Sequence, residues 1–173
     1  MAVILKVIRH TGNYENYLRN MVGYVTDYRA IVYGGYGVNY TDPNMAFLQM
    51  MQVKQYYCQT STNPLIHLVV SLDGACDNEA FAIQAAPAIA AYFKDSYQLM
   101  WCVHHKDEED AHYHIHILLH SVNVMNGRLF HSGPYEMNGF GYHVKNITGM
   151  WFHVIYNLID ETDDSLQAGR CYV

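Results

Sequence analysis

The segment HHKDEEDAHYHIHILLHSVN, His104 to Asn123, constrains the fold more than any other part of the chain because it carries two patterns at once. Six of its twenty residues are histidine, and His112, His114 and His116 alternate strictly with Tyr113, Ile115 and Ile117. Side chains on a β-strand point to opposite faces with a period of two. The segment therefore reads as a strand with one apolar face, which must meet a core, and one face bearing a row of imidazoles that His120 extends. A row of imidazoles either lines a wet groove or holds something.

The rest of the chain supplies partners for such a strand. Val3 to Arg9 is apolar enough for a first strand, and Asn13 can cap a helix to about Tyr24, with Tyr17, Met21 and Tyr24 at helical spacing. Ile31 to Tyr40 is β-branched and aromatic, and the pair Gly34-Gly35 implies a bend or bulge. Asp42 and Pro43 open a helix that runs to about Tyr57. Pro64 to Asp73 is a strand, and the helix after it starts at a capping Asp77 and carries Pro87 inside. The segments YQLMWCVHH and AHYHIHILLHSVN form a hairpin across the acidic turn KDEED, and Asn126-Gly127 signals one more. From Tyr135 to Asp160 the chain reads as mostly helical, interrupted at Gly139 and Gly141. This order predicts an α+β fold, a central antiparallel sheet with helices packed mainly on one face. It also predicts a single domain over residues 1–160 and a polar tail over 161–173.

Composition narrows the setting. Half the residues are hydrophobic and 15% are charged, which suits a globular chain. No apolar run approaches the ~20 residues of a membrane span, and MAVILKVIRH is too short for a signal peptide. Cys58, Cys76, Cys102 and Cys171 form no CxxC pair, so scattered thiols in a reducing cytoplasm are expected. The formal charge of −6 argues against nonspecific coating of nucleic acid. Sixteen tyrosines offer flat stacking surface with a polar tip.

The imidazole row has a definite chemical use. A His-x-His pair joined by an imidazole from the neighbouring strand makes a three-nitrogen metal site. His104 and His105 end the neighbouring strand, so either could reach the row, and His67 lies in another central strand. Asp107 and Glu108 in the connecting turn could hydrogen-bond the rings and fix their tautomers. The plainer alternative is a polar groove whose rings are satisfied by neighbours and water.

These residues bear a family resemblance. HKDEEDAHYHIHILLHSVN followed by NGRLFH is similar to the metal-binding motif of MobA/MobL-type (MOBP-like) relaxases. These are mobilisation nucleases within the HUH endonucleases, which are named for a histidine–hydrophobic–histidine pair. GYVTD resembles the segment that bears the family's nucleophilic tyrosine, and HLVVSLD and HSGPYEMNGF resemble segments flanking the metal strand. The likeness spans roughly residues 1 to 150.

The resemblance implies metal-dependent nicking and rejoining of single-stranded DNA at the origin of transfer of a plasmid or integrative element. A tyrosine would attack to give a 5′-phosphotyrosine intermediate, with Mn²⁺ or Mg²⁺ as cofactor. Carried over, Tyr24 is the nucleophile, with Tyr28 as second choice and Tyr14 or Tyr17 behind them. Relatives that use histidine keep His10 in view. His105, His114 and His116 are the metal ligands, or His112 and His114 in the alternate register. Asp107, Glu108 and His67 support them. Arg29, Lys6 and Arg9 are candidates for holding phosphate, and His67 and His131 for orienting substrate. The expected partner is single-stranded DNA bound by a monomer, and an acidic chain would lean on an accessory relaxosome DNA-binding protein. An HUH replication initiator or transposase-like nickase, or a non-catalytic DNA- or metal-binding module, shares the same residues.

Overall fold

The computed structural model describes residues 2–11, 14–60, 65–104 and 112–160, with the side chains of 10, 11, 14 and 157–160 left aside. Six strands form one sheet in the order β2-β4-β5-β3-β1-β6. These are β1 (Val3–Thr11), β2 (Ala30–Tyr36), β3 (Leu65–Ser71), β4 (Leu99–His104), β5 (His114–His120) and β6 (Phe152–Asp160). Every neighbouring pair is antiparallel except β1 and β6, which run parallel. The helices are α1 (Tyr14–Val25), α2 (Pro43–Tyr56), α3 (Glu79–Ala90) and α4 (Pro134–Thr148). The α+β class and the largely antiparallel sheet match the expectation. No helix among the described residues is long and apolar enough to cross a membrane.

The helices, expected mainly on one face, divide between two. Ile115, Ile117 and Leu119 of β5 meet Ala86 and Ile89 of α3 and Phe140 and Val144 of α4 in the larger core. On the opposite face, Leu118 of β5 with Met100 and Cys102 of β4 meets Leu18 and Val22 of α1 and Phe47 and Met50 of α2. The physical reason is that the imidazole face is polar only at one end of β5. At the other end it turns apolar at Leu118, and that patch requires a cover.

Local chemistry explains most boundaries. Asp42 caps α2 as expected, its Oδ1 accepting from Asn44 N at 2.9 Å and Met45 N at 3.2 Å, with Pro43 in the first turn. The cap of α3 is Asn78, whose Oδ1 accepts from Phe81 N at 2.9 Å, and not Asp77. Asp77 is occupied elsewhere, accepting from Tyr113 N at 2.8 Å. The bend expected at Gly34 is a close approach: a Cβ there would stand 2.6 Å from Trp101 Cζ2 across the pair β2–β4.

Two expectations fail in the last third of the chain. The strand expected after Asn126-Gly127 is only the isolated bridge Val122–Leu129. The long helix expected to Asp160 stops at Thr148, because Gly149 takes a left-handed φ of 71° and its N–H closes on Lys145 O at 2.7 Å. The remainder becomes β6, whose Phe152 and Val154 join the larger core. Asn13 and the tail over 161–173 lie outside the described residues.

Candidate active site

Antiparallel pairing places the histidines. In the pair β4–β5, His104 stands opposite His114 and Cys102 opposite His116. In the pair β3–β5, Val69 stands opposite His116 and His67 opposite Leu118. Directly opposed residues share a face, so His67, His104, His114 and His116 all lie on the side covered by α1. Ring centres are 4.6 Å apart for His104 and His116, 5.2 Å for His67 and His116, and 6.2 Å for His114 and His116. His67, His104 and His116 are buried and His114 is half-buried, so the cluster grades from solvent inward.

Tyr24 reaches this cluster from the last turn of α1. Its ring stands edge-on to His104 at 4.7 Å and to His116 at 5.4 Å, with His67 at 6.2 Å. Met21, Val22 and Val25 of the same turn are buried in the smaller core, which fixes the helix and aims Tyr24 at the rings. Tyr28, one turn further on, is 92% exposed and projects away from the core. Tyr17 is partly buried against the smaller core.

A charged pair lies over the tyrosine. The Arg29 guanidinium carbon stands 4.7 Å from the Tyr24 ring centre, a cation–π distance. Asp27 holds Arg29 in place, its Oδ2 accepting from Nε at 2.9 Å and Nη2 at 2.6 Å and its Oδ1 from the Arg29 backbone N–H at 2.8 Å. Burial alone would raise the Asp27 carboxyl, but hydrogen bonds and charge from Arg29 outweigh it and hold the group below its ordinary range. Arg9 is engaged away from this cluster, on the Oγ of Ser132 at 3.0 Å and the Ser132 carbonyl at 2.7 Å.

Burial, followed by the proximity of His67, His104 and His114, pushes the His116 imidazole well below its usual pKa. A neutral ring is the form that ligates a cation. Two imidazoles sharing an ion at about 2.1 Å from each nitrogen have ring centres roughly 4.5–5.2 Å apart, and His104 and His116 have that spacing. The residues that could hold a divalent ion are thus His104, His116 and, at the rim, His114. Among the described residues, no three His, Cys, Asp or Glu groups converge as a closed ligand set in the side-chain arrangement seen. The donor chemistry fits an ion, and the half-buried His114 ring is the member farthest from closure.

Of the residues singled out from sequence, Tyr24, His67, His114 and His116 come together. His112 stands before β5, exposed, with Nδ1 3.0 Å from Asp77 Oδ2. His131 is exposed. His105, Asp107 and Glu108 lie outside the described residues, and the imidazole that β4 presents to the cluster is His104. The Asp27 support for Arg29 had no sequence signal beyond an acid two residues before an arginine.

A family model described as relaxase, MobA/VirD2-like, nuclease domain, matches residues 17–141 of the chain. No curated protein and no solved structure matches it significantly.

Proposed function

From the premise that the chain belongs to the MobA/VirD2-like family of relaxase nuclease domains, and so to the DNA-nicking enzymes, we propose that it cleaves single-stranded DNA at an origin of transfer with Tyr24 as nucleophile. The observation that carries this reading is the seat of Tyr24: a half-buried phenol edge-on to His104 and His116 and beneath Arg29. Tyr24 Oη forms the new bond to phosphorus and gives up its proton. The bond to the 3′ oxygen breaks and that oxygen leaves as a hydroxyl, so a 5′-phosphotyrosine link keeps the phosphodiester energy for rejoining.

The chain's own residues supply position and charge. The helix turn bearing Met21, Val22 and Val25 holds the phenol against the imidazoles, so attack begins from an oriented group. Arg29, kept over the ring by Asp27, places a fixed positive charge where the incoming phosphate adds a negative one. His104, His114 and His116 would hold a divalent ion, Mn²⁺ being favoured over Mg²⁺ by nitrogen ligands. When bound, that ion polarises the phosphoryl oxygens and orients them for in-line attack.

A denaturing-gel adduct assay tests the reading, using labelled single-stranded oligonucleotides from candidate transfer origins and added Mn²⁺. Wild type and Tyr28→Phe should both give a covalent protein–DNA band. Tyr24→Phe should lose it by on the order of 10³-fold or more, and His116→Ala should lose most of it. An undiminished band in Tyr24→Phe would remove Tyr24 as nucleophile.

A further inference from the structure

His67 is the imidazole of the cluster that lies deepest. It is 1% exposed, and its Nε2 stands 3.0 Å from Nδ1 of His116, which is itself buried. A hydrogen bond between two neutral imidazoles needs one donor and one acceptor, so the pair has two arrangements of its protons. In one, His116 carries its proton on Nδ1, donates it to His67 Nε2, and keeps a lone pair on its own Nε2. In the other, His67 donates from Nε2, the proton of His116 sits on its Nε2, and that nitrogen can ligate nothing. Only the first leaves Nε2 of His116 as a ligand. Rings that bind cations commonly have this proton fixed by a carboxylate or a carbonyl. Here the group at hydrogen-bond distance is a fourth histidine, from the strand next to β5.

We propose that His67 is a positioning residue that accepts the Nδ1–H of His116 and so fixes the tautomer and ring direction in which His116 binds a divalent ion. The inference rests on the reading that His104, His114 and His116 hold such an ion. It assigns His67 no contact with the DNA or the ion. A second consequence is directional. His67 anchors His116 from the buried side, so the ligating nitrogen faces His104 and Tyr24, the rings that border His116 at 4.6 and 5.4 Å.

Two measurements on the full chain test this. The first is ¹⁵N NMR of the histidine side chains without added metal, with His116 assigned by its absence in His116→Ala. The Nδ1–H form is expected in wild type, and a shift toward Nε2–H in His67→Leu. The second is calorimetric titration with Mn²⁺ alone, after thermal melts confirm that each variant is folded. His67→Leu should weaken Mn²⁺ about 10- to 100-fold, while His67→Gln, whose amide oxygen can accept the same hydrogen, should stay within about threefold of wild type.

An Nε2–H tautomer in wild type would overturn the proposal. So would unchanged Mn²⁺ affinity in a folded His67→Leu. Loss of the ion in His67→Gln as complete as in His116→Ala would overturn it too, by making His67 a ligand. Wild type that bound no Mn²⁺ at all would defeat the metal reading instead, and the tautomer result would still decide the role of His67.

Discussion

His104 and His105 adjoin in the chain, and only one of two consecutive strand residues can face a given side of a sheet. Likeness to the family's spacing favoured His105; the pairing of His104 with His114 puts His104 on the imidazole face. That choice was open to a strict reading of alternation, since Met100, Cys102 and His104 are two apart and the first two belong to the same-face core. His114 and His116 were legible because their strand displays its period directly. Asp27 was not, because its importance arises only when Arg29 folds back over Tyr24. At this scale we expect Asp27→Asn to cost less than about 1 kcal/mol of stability, as partly exposed ion pairs do. The same change should slow adduct formation about tenfold by releasing the guanidinium from its seat. Single-turnover rates beside a thermal melt would decide it. An unchanged rate would reduce the Asp27–Arg29 pair to a structural contact.

Elements were read well where a pattern had one period and poorly where glycine broke it. The cap Asp42 and the strand from Leu65 to Ser71 match expectation, since capping and a continuous apolar run are local signals. Gly139 and Gly141 suggested an interrupted helix over the last segment. Yet α4 runs through both, because a neighbour stands close at each, Tyr92 Oη at the first and the Phe152 ring at the second. The real stop is Gly149, after which Phe152, Val154 and Tyr156 extend along β1 as a parallel edge strand. Nothing local distinguishes that strand from a helix continuation; its partner is some 150 residues away in sequence, as the pairing of Val3 with Phe152 shows. Close approach also gives the element-scale prediction. On β2, a methyl at Gly34 would meet Trp101 Cζ2 at 2.6 Å and Cε2 at 2.8 Å. Trp101 belongs to the larger core and cannot yield freely. Gly34→Ala should therefore destabilise the protein by about 1–3 kcal/mol, seen as a lower midpoint of urea unfolding with an unchanged slope. A midpoint equal to wild type would mean that the Trp101 ring shifts at no cost.

Across the whole molecule, the same sheet face that gathers the catalytic imidazoles also buries a histidine with no part in the site. His120 ends β5 at 0% exposure, and neither ring nitrogen has a hydrogen-bond partner among the described residues. Burial, with a smaller effect from the Lys54 charge, lowers its pKa to about 4. In the unfolded chain the ring titrates near 6.5. Above that value it is neutral in both states and contributes no pH dependence. As pH falls below about 6.5, only the unfolded state gains the proton, so the folded state loses ground by roughly 1.4 kcal/mol per unit until the folded ring also titrates near 4. By pH 5 the cost is about 2 kcal/mol, which for a chain of this size is a fall in melting temperature of roughly 4–8 °C. His116, held neutral by burial and by its neighbouring rings, pulls in the same direction. Stability should therefore fall from pH 7 to pH 5, before most carboxylates titrate. His120→Leu, which fills the site with an apolar side chain of similar bulk, should flatten that slope without affecting the adduct-forming site at the other end of β5. Melting curves of wild type and variant across this range provide the measurement, and equal slopes for the two would show that His120 is already protonated, or solvated, in the folded protein.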